Sequence, residues 1–385
     1  MRYDEARRDM RILILTASYG SGHNEAARSL AAAFEREGAE VVVVDHFREL
    51  VHPRFERFTR GLYYAMLRRA SPIWGMAYAL GDWMPSDSRL SFGVTRVGMD
   101  RLVERLDALR PDAVVSVHAT PAVVMSRLRE LGRVVPPHTT VVTDFVAHSQ
   151  WIAPHVDRYC VAAEEVKHEF IARGIPADRI IVTGVPLRPE FEQPASSHEA
   201  RLALGLARRT PVVLAMAGSQ GAFGRLPDVV RTLARVTRPL QTIVVAGRDA
   251  ALAERLRKLS AGSSIRVLGY VSDVRRMMAA ADLLITKAGG MTLAEAMAAG
   301  LPLVSFGSLP GQERRNERFA SRAGVALAAR SPRELDDTIE RAFSTPGLLE
   351  QLRERTRAIA RPAASRRIVE AVLGHDVSSR TGTVS

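Results

Sequence analysis

Cysteine is nearly absent from the sequence, since Cys160 is the only one in 385 residues. A single thiol excludes an intramolecular disulfide and a thiolate metal cluster, so a structural zinc site is not expected. Long apolar runs are missing too. VVVV at 41–44 and LPLVSFG at 301–307 are strand-length, well short of the roughly 20 residues that a membrane-spanning helix needs. The sequence therefore predicts no transmembrane segment.

A signal-peptide-like apolar stretch is also missing after the charged start MRYDEARRDM, so we expect the protein to stay in the cytoplasm. Basic residues exceed acidic ones, 54 against 42, for a formal net charge of +12. A net positive charge of this size attracts nucleic acid, anionic lipid and phosphorylated small molecules alike. Zinc-finger spacings, RNP-like aromatic motifs and blocks of consecutive basic residues do not occur, which disfavours nucleic acid as the partner.

Short apolar runs alternate with longer amphipathic ones from Arg11 onward. RILILTA precedes the helical pattern NEAARSLAAAFEREG, and EVVVVDH, AVVSVHA and TTVVTDF follow, which is typical of βα units that feed a parallel sheet. The alternation restarts after a proline-rich polar stretch at 186–198 with PVVLAMAG, TIVVAGR, IRVLGYV and DLLITKAGG. We therefore predict an α/β protein of two Rossmann-like domains, residues 1–190 and 191–385, with the C-terminal helix free to return to the first domain.

One segment, from Phe47 to Met84, breaks this alternation. It has no strand signal and interleaves arginines with apolar side chains, namely Arg54, Arg57, Arg60, Arg68 and Arg69 with Phe55, Phe58, Leu62, Tyr63 and Leu67. A basic amphipathic helix with interfacial aromatic residues suits an anionic membrane surface. The same pattern is typical of a helical pair that packs its apolar stripe on the first domain. Both interpretations stay open on the pattern alone.

The loop GSGHNE joins the first predicted strand to the first predicted helix. Gly20 and Gly22 allow the backbone to approach a ligand closely, and a helix that starts near His23 or Asn24 would direct free N–H groups toward it. Glu25 stands where a dinucleotide fingerprint has its third glycine, and no P-loop motif occurs, so NAD and P-loop chemistry are disfavoured. His23 can take a proton from a hydroxyl at neutral pH; the alternative is a helix cap or a packing residue.

Three loops of the second half carry polar groups suited to a nucleotide sugar. Gly218, Ser219, Gln220 and Gly221 offer N–H groups and a hydroxyl for phosphate oxygens, unless they form a plain βα turn. Gly289 and Gly290 precede a helix on which Thr292 and Glu295 lie three apart. That pair could form a capping box, or Glu295 could hold the hydroxyls of a ribose. The amide and acid groups of the third loop can read sugar hydroxyls: Gln312, Glu313 and Asn316.

Taken together, these motifs resemble a known family. The sequence resembles the diacylglycerol glycosyltransferases in the order of its motifs. These are G-x-G-H, G-S-Q-G, A-G-G-x-T-x-x-E and P-G-Q-E-x-x-N. The pattern T-D-x-x-x-H-x-x-W, which contains Asp144, His148 and Trp151, also matches that family. That group includes monogalactosyldiacylglycerol synthases and bacterial processive diacylglycerol glucosyltransferases. The resemblance spans about residues 11 to 370.

The resemblance implies a GT-B fold, in which two Rossmann-like domains face each other across a cleft. It implies an inverting transfer of glucose or galactose from a UDP-sugar, which is a substrate, to diacylglycerol. Neither a metal nor another cofactor is expected, in agreement with the lack of a D-x-D triplet. The protein would then act as a peripheral protein on the cytoplasmic face of an anionic membrane, with no nucleic acid as partner.

The resemblance also implies roles for individual residues. His23 would deprotonate or orient the acceptor hydroxyl, and Gly22 would face the diphosphate. The nucleotide sugar would be held by residues of the second half, namely Ser219, Gln220, Gly221, Tyr270, Val271, Gly289, Gly290, Thr292, Glu295, Gln312, Glu313 and Asn316. Among these, Tyr270 and Val271 would lie near the uracil, Glu295 would hold the ribose, and Gln312, Glu313 and Asn316 would read the hexose. The acceptor and membrane side would use Asp144, His148, Trp151, Arg57, Phe58, Tyr63 and Arg68.

Three other functions compete with this interpretation. The N-acetylglucosaminyltransferase of peptidoglycan lipid synthesis shares GSQGA, although its first loop is usually of the T-G-G-H type. A UDP-sugar epimerase of the same fold would need acids near both faces of the hexose, and no clear second set is present. A non-catalytic membrane-surface or nucleic-acid-binding protein would use the charge of +12 alone.

Overall fold

A computed structural model of the chain describes residues 10–69, 75–76, 80, 82, 98–220 and 223–380. Its contacts divide the chain into two compact units. Unit 1 consists of Met1–Pro189 with Pro362–Ser385, and unit 2 of Glu190–Arg361.

Unit 1 is built on one parallel sheet of six strands in the part of the chain that the structure describes. The strands are β1 (Arg11–Thr16), β2 (Glu40–Asp45), β3 (Ala113–Ser116), β4 (His138–Val141), β5 (Arg158–Val161) and β6 (Ile180–Val182). The helices between them are α1 (Ser21–Arg36), α2 (Pro53–Arg69), α3 (Met99–Leu109), α4 (Ala119–Glu130) and α5 (Glu164–Ala172).

Burial explains why these apolar runs form strands. Ile12, Leu13, Ile14 and Leu15 are all fully buried, as expected for a parallel strand that helices cover on both faces. Phe34 is also fully buried. Burying one phenylalanine side chain contributes about 1.5–3 kcal/mol to the free energy of unfolding.

The strand order of unit 1, β2-β1-β3-β4-β5-β6, decides where a ligand site can lie. The chain leaves β1 for β2 on one side and continues to β3 on the other side. The order therefore reverses between β1 and β3. In open α/β sheets, ligands bind at such a switch point, beyond the carboxyl ends of the strands.

Unit 2 repeats this architecture within its described residues. Its sheet consists of β7 (Val212–Met216), β8 (Gln241–Val245), β9 (Ile265–Leu268), β10 (Leu283–Thr286), β11 (Leu303–Phe306) and β12 (Ala326–Ala329), in the order β12-β11-β10-β7-β8-β9. All pairings are parallel. The switch point lies between β7 and β10. The alternation of strands and helices predicted from the sequence is thus confirmed in both units.

The helices of unit 2 follow its strands in the same way. They are α6 (Ser197–Ala203), α7 (Leu226–Leu233), α8 (Ala250–Leu259), α9 (Val274–Ala280), α10 (Gly290–Ala298), α11 (Gln312–Arg322), α12 (Pro332–Ser344) and α13 (Leu348–Ile359). The last helix, α14 (Ala364–Arg380), belongs to unit 1 and packs against α1. The buried Ser365 Oγ donates a hydrogen bond to the Leu187 carbonyl at 2.7 Å, which holds the start of α14 to unit 1.

The segment without a strand signal is helical where the structure describes it. A π-helical turn, His46–Val51, leads into α2. On α2, Phe55, Phe58 and Leu62 are 44%, 71% and 58% exposed, so these side chains do not form an apolar stripe packed on unit 1. Residues 70–74 and 83–97 of the chain lie outside the described residues. Across the described ranges, no helix combines the length and apolarity needed to cross a membrane.

Candidate functional site

The loop after β1 turns sharply at Gly20, whose φ of 100° lies in the region that favours glycine. The helix α1 then begins at Ser21, so the expected start near His23 or Asn24 was wrong by two to three residues. The reason is local: Gly20 serves as the N-cap, and no side chain caps the helix. His23 therefore lies in the first turn of α1, where backbone N–H groups have no helical partner.

The His23 ring is fixed by unit 1. Its Nδ1 lies 2.8 Å from the Val117 carbonyl oxygen and 3.1 Å from Thr143 Oγ1. Because a carbonyl can only accept, Nδ1 carries the hydrogen and donates it. The lone pair of the neutral ring is therefore on Nε2. A ring in this state can accept a proton at Nε2 from a hydroxyl.

Two acidic or aromatic groups of the loop after β4 lie near this ring. Burial lowers the pKa of His23, while the Asp144 carboxylate and the hydrogen bond to Val117 raise it. The centroid of a Trp151 ring lies 6.1 Å from the His23 ring. His148 Nδ1 accepts a hydrogen bond from the Gln150 N–H at 3.1 Å and so caps the short helix Ser149–Trp151. The structure thus brings Asp144 and Trp151 to His23.

His118, which the sequence reasoning missed, completes the cluster. It lies two residues after the end of β3, across the switch point from His23. Its Nδ1 accepts a hydrogen bond from the Thr120 N–H at 3.1 Å, so the neutral ring carries its hydrogen on Nε2. Burial, with smaller effects from His23 and His46, lowers the pKa of His118 well below its usual value. The available signal was a histidine right after an apolar strand, in VVSVHAT.

The α2 residues of the acceptor side lie on different faces of the helix. Phe58 is 71% exposed, and Arg57 is exposed as well. The Tyr63 ring instead contacts the Tyr19 ring edge to face, with centroids 5.9 Å apart. The side chain of Arg68 lies outside the described residues.

In unit 2, the loop after β7 carries the groups that the sequence predicted to bind phosphate oxygens. Gly218 adopts a φ of 74°, which favours glycine. The Ser219 hydroxyl is buried and has no hydrogen-bond partner among the described residues. The backbone carbonyl of Ser219 accepts a hydrogen bond from the Arg248 N–H at 2.9 Å. Gln220 is exposed, and Gly221 lies outside the described residues.

Arg248 is a second residue that the sequence reasoning missed. It follows β8, and its guanidinium carbon lies 4.0 Å from the centroid of the Tyr270 ring. This is a cation–π contact, which orients both groups. Tyr270 is 49% exposed, and Val271 is half-buried beside it.

The loop after β10 leads into α10, which begins at Gly290 with Gly289 as its N-cap. Thr292 is therefore the third helical residue, which excludes the capping box, one of the two interpretations that the sequence left open for Thr292 with Glu295. The extended backbone of Gly289 starts the helix before Thr292 can cap it. Glu295 is 8% exposed and lies in the second turn. Thr286 Oγ1 donates to the Met216 carbonyl at 3.1 Å, so this loop and the loop after β7 leave the sheet side by side.

The loop after β11 is tied to the loop after β10 by side chains at the start of α11. The Glu313 carboxylate receives the Lys287 ammonium on Oε1 and the Leu309 N–H on Oε2, the latter at 2.9 Å. Asn316 is fully buried, and its Nδ2 donates to the Ala288 carbonyl at 3.2 Å. Gln312 is the first residue of α11 and is half-buried. Lys287 was part of the motif KAGGMT, although the sequence reasoning gave it no role.

Two family models match the chain. Monogalactosyldiacylglycerol (MGDG) synthase matches residues 23–187, and glycosyl transferases group 1 matches residues 222–359. A processive diacylglycerol beta-glucosyltransferase of Bacillus cytotoxicus is 32% identical over 366 residues, 94% of this chain and 93% of the relative. A protein of the same name from Bacillus cereus is 31% identical over 95% of this chain and 94% of its own length.

Solved structures are similar in fold at low identity. Acinetobacter baumannii MurG superposes with a TM-score of 0.66 at 18% identity, over 95% of this chain and 99% of that one. The structure of S. aureus MnaA with UDP has a TM-score of 0.64 at 14% identity, and the match covers 98% of this chain and 99% of that one. The structure of Anabaena HepE with UDP-glucose has a TM-score of 0.55 at 17% identity, and the match covers 97% of this chain and 99% of that one. With two Rossmann-like units of the GT-B fold and relatives aligned over nearly its whole length, the chain belongs to the diacylglycerol glycosyltransferase family.

Proposed function

We propose that the protein transfers a hexose from a UDP-sugar to the free hydroxyl of diacylglycerol, with inversion at the anomeric carbon. One observation carries the proposal: the Nδ1 of His23 is committed to the Val117 carbonyl at 2.8 Å. The lone pair on Nε2 then serves as a general base, in a ring whose lowered pKa keeps it neutral at physiological pH.

The proposed reaction is a single displacement. The hydroxyl oxygen of diacylglycerol attacks C1 of the hexose from the face opposite UDP, while Nε2 of His23 takes the hydroxyl proton. The bond between C1 and the β-phosphate oxygen breaks, and UDP leaves with the electron pair. The Asp144 carboxylate, whose charge acts on His23, stabilises the imidazolium that forms.

The donor diphosphate would bind at the switch point of unit 2. The Ser219 hydroxyl, without a partner among the described residues, and the N–H groups near Gly218 and Gly290 supply donors for phosphate oxygens. The positive end of α10 offsets the charge of the leaving UDP, so the proposal needs no metal ion.

The remaining donor contacts follow the order of the loops. Tyr270, held by Arg248 at 4.0 Å, would stack on the uracil with Val271 beside it. Glu295 would hold the ribose hydroxyls. Gln312, Glu313 and Asn316 would read the hexose. The Glu313 carboxylate is already oriented by Lys287 and the Leu309 N–H. A carboxylate held in one orientation can accept hydrogen bonds from hexose hydroxyls in fixed directions, which supports this role.

Glucose is the hexose that we propose. The relatives from two Bacillus species, at 32% and 31% identity, are named beta-glucosyltransferases. Inversion of the α-linked glucose of UDP-glucose yields a β-glucoside, in agreement with that name. UDP-galactose, which differs in one hydroxyl orientation, is the alternative donor.

The apolar face of α2 would meet the membrane that contains diacylglycerol. Phe55, Phe58 and Leu62 follow one another at helical spacing, and all three are exposed. An apolar face with basic residues on the same helix suits the interface of an anionic bilayer. This arrangement supports a peripheral protein that docks through α2.

The reaction is tested by offering UDP-glucose, UDP-galactose and UDP-N-acetylglucosamine separately to the purified protein. The acceptor is diacylglycerol in vesicles that contain anionic lipid, and products are identified by mass. Glucosyl-diacylglycerol of β configuration is the expected result. A product from UDP-N-acetylglucosamine alone, or epimerised nucleotide sugar without glycolipid, would contradict the proposal.

Docking is tested by co-sedimentation with the same vesicles. Phe58→Ser combined with Leu62→Ser should reduce the bound fraction. The matched control is Leu202→Ser, since Leu202 is 73% exposed in unit 2. Equal loss in both variants would argue against α2 as the membrane-facing element.

A further inference from the structure

The loop after β10 is held in place by the segment that follows β11. Lys287 contacts the Glu313 carboxylate. The Ala288 N–H donates a hydrogen bond to Ser308 Oγ at 3.2 Å, and the Ala288 carbonyl accepts one from Asn316 Nδ2 at 3.2 Å. The two residues just before the N-cap of α10 are therefore held at a side chain, an N–H group and a carbonyl.

Ser308 belongs to a chain of hydrogen bonds that ends in a carboxylate. Ser308 Oγ lies 2.8 Å from Ser305 Oγ, and Ser305 Oγ lies 2.6 Å from Glu317 Oε2. All three side chains are buried. The second carboxylate oxygen of Glu317, Oε1, faces the Arg314 guanidinium at 3.3 Å. Glu317 is thus connected to the Ala288 N–H through two hydroxyl groups.

The direction of each hydrogen bond in this chain is fixed. An ionised carboxylate can only accept, so the Ser305 hydroxyl donates its one hydrogen to Glu317. Ser308 is then the donor to Ser305. The lone pairs of Ser308 Oγ are left for the Ala288 N–H, which can only donate. The carboxylate of Glu317 therefore keeps Ser308 in the orientation that accepts from the backbone.

The Ala288 peptide lies directly before the turn that starts α10. Gly289 is the N-cap, and the helix begins at Gly290. The first N–H groups of a helix have no partner within it and point along its axis, so the residues at and before the N-cap set their direction. A shift of the Ala288 peptide would turn these groups away from the diphosphate that we propose they bind.

We propose that Glu317 is a positioning residue for the donor. Through Ser305 and Ser308 it holds the Ala288 peptide, and this strengthens the binding of the diphosphate. Glu317 is 6% exposed and acts through these residues. The inference rests on the proposed function for the place of the diphosphate, but not for the acceptor or the hexose.

Binding of UDP to the full-length protein is measured by calorimetry, without acceptor. Glu317→Leu leaves the Ser305 hydroxyl without its acceptor, so the direction of the chain is lost. We expect UDP binding to weaken by roughly threefold to tenfold, the effect of one lost hydrogen bond. Uridine, which lacks the diphosphate, should bind both proteins equally. Unchanged UDP affinity in the variant, or an equal loss for UDP and uridine, would overturn the proposal.

A second variant replaces the carboxylate with a group of the same size. Glu317→Gln can present either an oxygen or an N–H to Ser305. When the amide donates, both hydroxyl hydrogens turn toward the Ala288 N–H, so UDP affinity should lie between the wild type and Glu317→Leu. Ser308→Ala removes the acceptor of that N–H, and adding Glu317→Gln to it should cause little further loss. Additive losses would show that Glu317 does not act through Ser308.

The matched control for stability is Asp282→Asn. Asp282 directly precedes β10, at the opposite end of the strand from the loop. Its Oδ2 accepts from Arg201 Nη2 at 2.6 Å and from the Val212 N–H at 2.8 Å. Losing this charge should lower the urea midpoint and leave UDP affinity unchanged. If Asp282→Asn weakens UDP binding as much as Glu317→Leu does, stability alone controls binding and Glu317 has no positioning role.

Glycolipid formation separates this inference from the proposed function. With UDP-glucose and diacylglycerol vesicles, Glu317→Leu should raise the KM for UDP-glucose and leave the KM for diacylglycerol unchanged. Glycolipid formed with the same KM for UDP-glucose in both proteins would overturn the inference while the proposed function stands. UDP binding that depends on Glu317, without any glycolipid, would overturn the proposed function and leave the inference standing.

Discussion

The imidazole rings of His23 and His118 meet edge to face, with centroids 4.7 Å apart and planes at 77°. They follow neighbouring strands, β1 and β3, on the two sides of the switch point. Their hydrogen bonds fix opposite tautomers. His23 uses its Nδ1–H toward Val117 and keeps a lone pair on Nε2, whereas His118 accepts at Nδ1 and keeps a hydrogen on Nε2. The pair therefore combines one proton acceptor with one hydrogen-bond donor.

Replacing the acceptor of this pair should stop the transfer. We expect His23→Ala to lower turnover by about 10² to 10⁴, the usual contribution of a general base. The dissociation constant of UDP, measured by calorimetry, should change by less than about twofold because His23 is proposed to act on the acceptor hydroxyl and not to bind UDP. His168→Ala, an exposed histidine of α5, is the control. Turnover close to the wild type in His23→Ala would remove the base assignment.

Replacing the donor of the pair separates its two roles. Asn is a good N-cap, so His118→Asn should retain the cap of α4, whereas His118→Ala should cost about 1 kcal/mol of stability more. Both variants should lower kcat to a similar extent because both lose the Nε2–H beside His23. If His118→Asn keeps the wild-type kcat and KM, then His118 only caps the helix.

The acid limb of the pH–rate profile follows from the environment of His23. Burial lowers its pKa, so the neutral base persists below the usual value of about 6.5, and kcat/KM should fall only at more acidic pH. The Asp144 carboxylate acts in the opposite direction and raises that pKa. Asp144→Asn should therefore move the acid limb to still lower pH, with a lower plateau. A shift to higher pH would contradict this arrangement.

Binding of UDP should depend on the stacked pair Arg248 and Tyr270. Without Arg248 the Tyr270 ring loses a cation–π contact worth about 0.5–2 kcal/mol and is no longer held for stacking, so Arg248→Ala should weaken UDP binding by at most roughly thirtyfold. The matched control is Arg255→Ala, an exposed arginine of α8. Calorimetry with UDP alone measures the effect without the acceptor. Equal dissociation constants for both variants would show that the uracil does not use this pair.

Stability should fall in acid through His138, which lies away from the switch point. Burial lowers its pKa to about 3, and the Arg129 charge adds to the shift. Below about pH 6.5 the unfolded chain binds a proton that the folded protein does not, so the free energy of unfolding decreases by roughly 1.4 kcal/mol per pH unit for this group. Above that pH the group contributes no pH dependence.

The test compares urea midpoints at about pH 6 and pH 5. His138→Gln keeps a partner for Ser116 Oγ, which lies 2.8 Å from His138 Nε2, and should flatten the pH dependence. His168→Gln should leave it unchanged. Burial also lowers the pKa values of His23 and His118, so part of the slope will remain. An unchanged slope in His138→Gln would mean that His138 is not buried in the neutral form.

Periodicity and loop position predicted the fold well because both are local properties. Alternating strands and helices, and the glycine loops that follow the strands, can be read from the pattern of apolar residues. The start of α1 was misjudged because Gly20, rather than a capping side chain, ends the loop. The capping box of Thr292 failed for a similar reason, since Gly289 already begins α10.

Contacts between distant residues could not be predicted in the same way. The pairing of Lys287 with Glu313 joins the loop after β10 to the start of α11, and the approach of His118 to His23 depends on the strand order. The exposure of Phe58 on α2 was equally hidden, because an apolar stripe has the same sequence pattern whether it faces a core or solvent.

The return of α14 to unit 1 affects how the protein is made. A ribosome delivers the chain from its N-terminus, and domains generally fold as units during synthesis. Unit 2 is one continuous stretch, whereas unit 1 needs residues from both termini. Although unit 1 is translated first, it can bury α1 beneath α14 only after the whole of unit 2 has emerged. The nascent chain can therefore complete its second unit before its first, and the surface of α1 that α14 covers stays exposed until α14 has been made.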